Sequence, residues 1–398
     1  MGKPLKLLGY ILTLIVLIGY IGSNVLMFVK VPSEFWRLAY LKIIITSVYQ
    51  YGILMALVII MAAIMSLLII DFSWFGRIIT TLFLIAGIFS IGSNVYYIAR
   101  IYGESLELKG TVVNRSQMEL FVTSPNSKYA KIILDKVNSD MSIELYIPEQ
   151  SKQKIFLYLP SKGIEMANQQ IEFEQLQKTL INNGVVFARI KEDTLGQANL
   201  ETEMTKIVKA VGEIDLYFQE KFDIYVGGSG MSAYLLQKTV EEKTLNIEGV
   251  MLLYPVTDMA KYSLHLEADQ NLIGLLLKTK YWGSGSFINT DVDLEKLAGI
   301  FLLSNMSKGI QTKESANLYT KANPSNPSIA YLIIAGSQDS FTEINEVKKY
   351  KSWLEEQSAK VYFFQVPFTE HYFDLFSDLK SYATQKTYEQ IIYWIQEN

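Results

Sequence analysis

The chain contains no cysteine and only two histidines among its 398 residues. The missing cysteine removes disulfide staples, thiolate metal sites and a cysteine nucleophile together. With two histidines left as nitrogen donors, zinc lacks its usual ligand set. Charge is sparse as well: 19% of residues are Asp, Glu, Lys or Arg, and the formal net charge is −4. Residues 1–100 hold seven Lys/Arg and two Asp/Glu, which leaves 29 against 38 in the remainder. An acidic remainder does not build the basic groove that nucleic acid requires, so nucleic acid is excluded as a partner. Hydrophobic residues make up 50% of the chain, too many for a disordered polymer.

What the sequence has in excess is apolar length, gathered at one end. Residues 7–29, 43–70 and 78–99 carry no internal charge, and a bilayer span needs about 20 apolar residues. Three runs rule out a single cleaved signal peptide. They predict a membrane domain over 1–103 with three transmembrane helices, hence a multi-pass cell-membrane protein. The first and third runs share Ile-Gly-Ser-Asn-Val, at 21–25 and again at 91–95. Small residues allow close helix approach, and Asn24 and Asn94 are suited to hydrogen bonds between helices. That reading is preferred over an ion path, because no acid or histidine joins them. The same faces offer a route to oligomers. Lys30, Arg37, Lys42 and Arg100, followed by Lys109 and Arg115, flank the runs on the side of the following domain, against Lys3, Lys6 and Arg77 on the other. Basic flanks stay inside, which predicts a cytoplasmic domain.

From residue 104 onward, short β-rich runs alternate with helical periods. Strands are expected at 128–134, 142–147, 154–159, 185–190, 223–226, 249–254, 330–334 and 361–366. Helices are expected at 169–183, 204–218, from Gly230, and at 343–356, with an amphipathic helix closing the chain. This alternation predicts a single α/β domain over 104–398, its mostly parallel sheet covered on both faces. Residues 259–322 read as an insert.

The run Tyr225-Val-Gly-Gly-Ser-Gly-Met-Ser-Ala233 takes an apolar strand directly into a Gly-rich turn and then a helix. A serine on such a turn projects its hydroxyl above the sheet, as a nucleophile elbow does. The dinucleotide fingerprint and the phosphate-binding P-loop both need residues that are absent here. Asp339 and then His371 follow Ser229 in chain order, each just past the C-terminal end of a predicted strand, where open α/β sheets place their sites. His265 falls in the insert, away from any strand end. Ser232 fits the nucleophile position less well, since it already lies inside the helix.

On these residues, 128–397 resemble the α/β-hydrolase fold, in particular bacterial esterases of the carboxylesterase, hormone-sensitive-lipase and feruloyl-esterase-like group. Ser142-Ile-Glu-Leu-Tyr-Ile-Pro148 is similar to the strand that opens those domains. Leu253-Tyr-Pro-Val-Thr-Asp258 and Asn323-Pro-Ser-Asn-Pro327 are similar to the segments around their cap. The resemblance implies a doubly wound sheet with a cap insert at about 259–322, and a triad of Ser229, His371 and Asp339 acting on an acyl ester or lipid without cofactor or metal. The oxyanion would be held by Gly230 and by Ser161 or Lys162. Two departures stand out. Leu159-Pro-Ser-Lys-Gly163 replaces the group's His-Gly-Gly run, and Met231 occupies a position that is usually small. An acyltransferase or serine peptidase would use the same triad, and a non-catalytic membrane scaffold is the reading that the departures favour.

Overall fold

The computed structural model describes residues 3–31, 36–48, 51–69, 74–104, 107–108, 111–112, 128–138, 141–159, 174–192, 200–219, 221–257, 329–340, 342–371, 373–374 and 381–398. Four helices come first: α1 (Lys3–Leu26), α2 (Trp36–Val48), α3 (Gly52–Ile69) and α4 (Trp74–Gly103). The α/β region follows with β1 (Glu107–Leu108), β2 (Thr111–Val112), β3 (Tyr129–Asn138), β4 (Met141–Pro148) and β5 (Lys154–Leu159). Then come α5 (Glu174–Asn182), β6 (Val186–Glu192), α6 (Leu200–Phe218), β7 (Asp223–Ser229), α7 (Gly230–Glu242) and β8 (Gly249–Leu253). The chain ends with β9 (Ala330–Gly336), α8 (Ile344–Glu356), β10 (Lys360–Val366) and α9 (Tyr382–Glu397).

The ten strands form one sheet in the order β2-β1-β10-β9-β8-β7-β5-β6-β4-β3. From β10 to β6 all neighbours are parallel. β4 and β3 add antiparallel strands at one edge, and β1 and β2 do so at the other. The parallel strands read as unbroken apolar runs because helices cover both faces. Every residue of β8 and β9 is buried. β5 lies between β6 and β7, so the chain reverses its direction of travel across the sheet there, and the C-terminal ends of β5 and β7 mark the position where open α/β sheets bind ligands. The expected fold class, α/β with a large, mostly parallel sheet, is what the chain adopts. The cap segment expected at 259–322 lies outside the described residues.

The N-terminal helices differ from the expectation of three continuous spans. Among the described residues, one helix, Gly76–Gly103, is long and apolar enough to cross a bilayer. The run at 43–70 is divided instead: its helical parts Leu41–Val48 and Gly52–Met65 meet at 81°, so at most they form one broken span. Hydropathy reports polarity and is blind to a bend. Within α1, Ile11–Leu26 is a shorter apolar helix and is not one of these candidates. Even so, the exposed large apolar side chains of the described residues all lie on these helices or their junctions except Tyr129, Ile133, Leu216 and Tyr217. α1 and α4 are joined by the Ser90 hydroxyl, which donates to Asn24 Oδ1 at 3.0 Å. Asn24 therefore bonds between helices as expected, whereas Asn94 Nδ2 donates within its own helix to the Ser90 carbonyl.

Candidate active site

Three connections converge beyond the C-terminal ends of β7, β9 and β10. At the first, β7 ends at Ser229 and α7 begins at Gly230 with no intervening loop. Ser229 is fully buried and keeps ordinary extended backbone (φ −115°, ψ 146°). The reversal falls one residue later, at Gly230, whose φ is +51°. That left-handed conformation favours glycine, and it makes Gly230 rather than Ser229 the apex of the turn.

At the other two connections, the loops after β9 and β10 are knitted together. The Gln338 N–H donates to the Thr369 carbonyl at 3.0 Å, the Ser337 N–H to the Val366 carbonyl at 2.9 Å, and the Phe368 N–H to the Ser337 hydroxyl at 2.8 Å. This brings the acid and the histidine together: Asp339 Oδ2 lies 2.7 Å from His371 Nδ1, with both side chains fully buried. The second carboxylate oxygen of Asp339 accepts the Thr342 N–H at 2.8 Å, which fixes the carboxylate plane. In the tautomer that carries its proton on Nδ1, the imidazole donates to this carboxylate and presents Nε2 as an acceptor. The Tyr254 ring lies 4.7 Å from the imidazole, and the Tyr254 hydroxyl donates to Asp374 at 2.9 Å. Asp339 and His371 thus stand past the ends of the adjacent strands β9 and β10 and form a pair, while Ser229 ends β7, with β8 between it and β9.

The other sequence candidates resolve unevenly. Ser161 and Lys162, the expected oxyanion donors, lie outside the described residues, as do Gly163 and His265. Ser232 is buried in the first turn of α7. Among the described residues, no three or more His, Asp and Glu side chains gather where they could hold a metal ion.

Sequence reasoning missed a second buried set behind the pair. Glu370 Oε2 accepts the Ser340 N–H at 2.9 Å, and Glu370 Oε1 lies 3.6 Å from Lys42 Nζ, with both side chains fully buried. Burial raises the Glu370 carboxyl to about 7, with Lys42 opposing the shift and the charge of Asp339 adding to it. Lys42 also donates to the Val29 carbonyl at 2.9 Å and to Gln338 Oε1. The sequence counted Lys42 as a membrane-flanking charge; it is instead an internal ion-pair partner. Its signal was present, as a lone charge within the apolar stretch 38–70, but nothing local identifies a partner more than 300 residues away.

No protein-family model matches the chain, and no curated protein matches it. Among solved structures it is similar to a carboxyl esterase of the mycorrhizal fungus Tuber melanosporum, at 15% identity and TM-score 0.49, covering 69% of this chain and 88% of that one. It is also similar to esterase LipW from Mycobacterium marinum, at 13% identity and TM-score 0.49, covering 68% and 82%. A bacterial heroin esterase aligns at 13% identity and TM-score 0.49, covering 77% and 91%.

Proposed function

We propose that the chain is a membrane-anchored serine hydrolase acting on esters. In this reading Ser229 attacks the acyl carbonyl, and His371 Nε2 takes the hydroxyl proton and later returns it to the leaving alcohol. Asp339 holds the imidazole in the required tautomer. The Gly230 N–H and an amide from Ser161 or Lys162 would receive the oxyanion, and losing one such donor costs about 2.7–4 kcal/mol of transition-state stabilisation. Water then releases the acyl group, with no cofactor. The observation that carries this reading is the buried 2.7 Å contact between His371 and Asp339 at the C-terminal edge of a parallel sheet. The test is labelling of the membrane-embedded protein with a fluorophosphonate probe: adduct formation that vanishes in Ser229→Ala supports the enzyme.

One observation favours a second reading. The apex of the turn is a glycine with φ +51°, and the candidate serine stands beside it on unstrained strand backbone. A nucleophile elbow places its serine at the strained position. On that basis the domain is a non-catalytic scaffold that keeps the acid–histidine pair but has no hydroxyl at the apex.

The membrane reading is a proposal of the same kind. Phe28, just beyond α1, and Tyr96 and Tyr97 of α4 all pack on Phe368. The C-terminal ends of α1 and α4 therefore meet the α/β region at the same residue, Phe368. Gly76–Gly103, long and apolar enough to cross a bilayer, supports an anchor, and the excess of basic residues flanking the apolar runs on the domain side supports a cytoplasmic hydrolase domain.

A further inference from the structure

Two loops present the acid and the histidine, and both are held from outside the α/β region. Gln338 precedes Asp339 and Glu370 precedes His371, and both side chains reach Lys42 on α2. The Gln338 amide additionally donates to the Phe28 carbonyl at 3.0 Å, beyond the end of α1. Phe368, at φ +58°, completes the contact: its ring lies 5.0 Å from Phe28 edge-on and 5.8 Å from Tyr96. An ion pair taken fully out of water is retained only with good geometry and further hydrogen bonds, and removing one partner strands the other charge. Here the further bonds run to Val29, Ser340 and Gln338, so the pair ties three backbone segments to one point.

We propose that Lys42 is a positioning residue: through Glu370 and Gln338 it sets the two loops that bring Asp339 against His371, so that docking of the N-terminal helices determines the geometry of the acid–histidine pair. Lys42 acts through its neighbours and makes no described contact with either Asp339 or His371. The device does not depend on whether Ser229 is a nucleophile. It concerns the pair alone, and it rests on the site reading above only for the role of that pair.

The test uses the full chain in lipid nanodiscs, with ring-15N histidine labelling. Two histidines give two sets of ring signals, and His265→Gln identifies those of His371. In the wild type, the His371 Nδ1–H bonded to Asp339 should give a far-downfield proton protected from exchange with water. In Lys42→Met this signal should be lost while far-UV circular dichroism is retained, and Lys42→Arg should restore it. Should Lys42→Met fail to fold, the charge-neutral double variant Lys42→Met/Glu370→Gln removes the tether without stranding a charge, and it should lose the signal too. A folded variant of either kind that keeps the protected signal overturns the proposal. Absence of fluorophosphonate labelling in the wild type would count against the hydrolase reading and leave this measurement intact.

Discussion

Gly228 and Ser232 meet backbone to backbone. A Cβ placed on Gly228 would lie 2.9 Å from the carbonyl carbon and oxygen of Ser232 and 3.0 Å from the Ala233 nitrogen. The end of β7 and the first turn of α7 thus touch directly, and Gly230 makes the bend between them. Backbone cannot yield as a flexible side chain can, so Gly228→Ala should destabilise the protein by about 1–3 kcal/mol. Thermal unfolding in detergent measures this, and an unchanged midpoint would show that the turn is looser than described.

Removing the proposed nucleophile or base should abolish chemistry. Ser229→Ala and His371→Ala are each expected to lower hydrolysis of a short p-nitrophenyl ester by at least about 10³-fold. Ser232→Ala and His265→Ala should retain it. If Ser232→Ala is inactive and Ser229→Ala active, the nucleophile has been assigned to the wrong residue.

Gly230→Ser separates the two functional readings. Serine at φ +51° costs roughly 1–2 kcal/mol of stability but puts a hydroxyl at the apex of the bend. If the domain is a scaffold, the wild type is unlabelled by fluorophosphonate and Gly230→Ser becomes labelled, in a manner that His371→Ala reverses. If Ser229 is the nucleophile, the wild type is labelled and Gly230→Ser weakens the reaction by distorting the turn.

Much of this architecture was legible in the residues. β5, β7, β8 and β9 announce themselves as uninterrupted apolar runs because both of their faces are covered, and Asp339 and His371 could be found by their distance past such runs. The turn at 227–230 was legible as a bend but not as to which residue occupies its apex. Ser229 and Gly230 share the same glycine-rich context, and only φ distinguishes them. The division of 43–70 into two helices was invisible for a related reason, since apolarity is the same on either side of a bend. Lys42 and Glu370 were beyond reach because an ion pair across the whole chain leaves no local periodicity.

A carboxylate held by two cations and a tyrosine on the antiparallel side of the sheet should govern part of the acid response. Burial alone would raise the Glu144 carboxyl, but hydrogen bonds from Lys131, Tyr146 and Arg189 outweigh it and hold it down at about 2. The unfolded chain titrates this group near 4.5. The folded state therefore binds fewer protons between these values, and the contribution is complete above pH 4.5 and lost as pH falls toward 2. The stability gap between wild type and Glu144→Gln should narrow across that window. A gap that stays constant with pH would mean the cluster carries no net charge interaction.

The proposed cytoplasmic placement of the domain can be tested with one added thiol. Lys152 is exposed in the turn before β5, whereas neighbouring Ser151 is half-buried, so Lys152→Cys is the better reporter in a chain with no cysteine of its own. Intact cells treated with a membrane-impermeant maleimide should show no labelling until they are lysed. Labelling before lysis would place the domain outside.

The buried cluster that contains β5, β7, β8 and β9 also contains Met27, Ile43, Tyr97, Ile98, Ile101 and Tyr102 from the N-terminal segment. The helices are a wall of the enzyme-like domain, not a leash that holds it near a surface. A fragment cut at residue 104 would bare that wall's inner face and leave Glu370 without its counter-ion, so it should precipitate or oligomerise. The intact chain, in contrast, should melt as one cooperative body, with helices and sheet sharing a single transition.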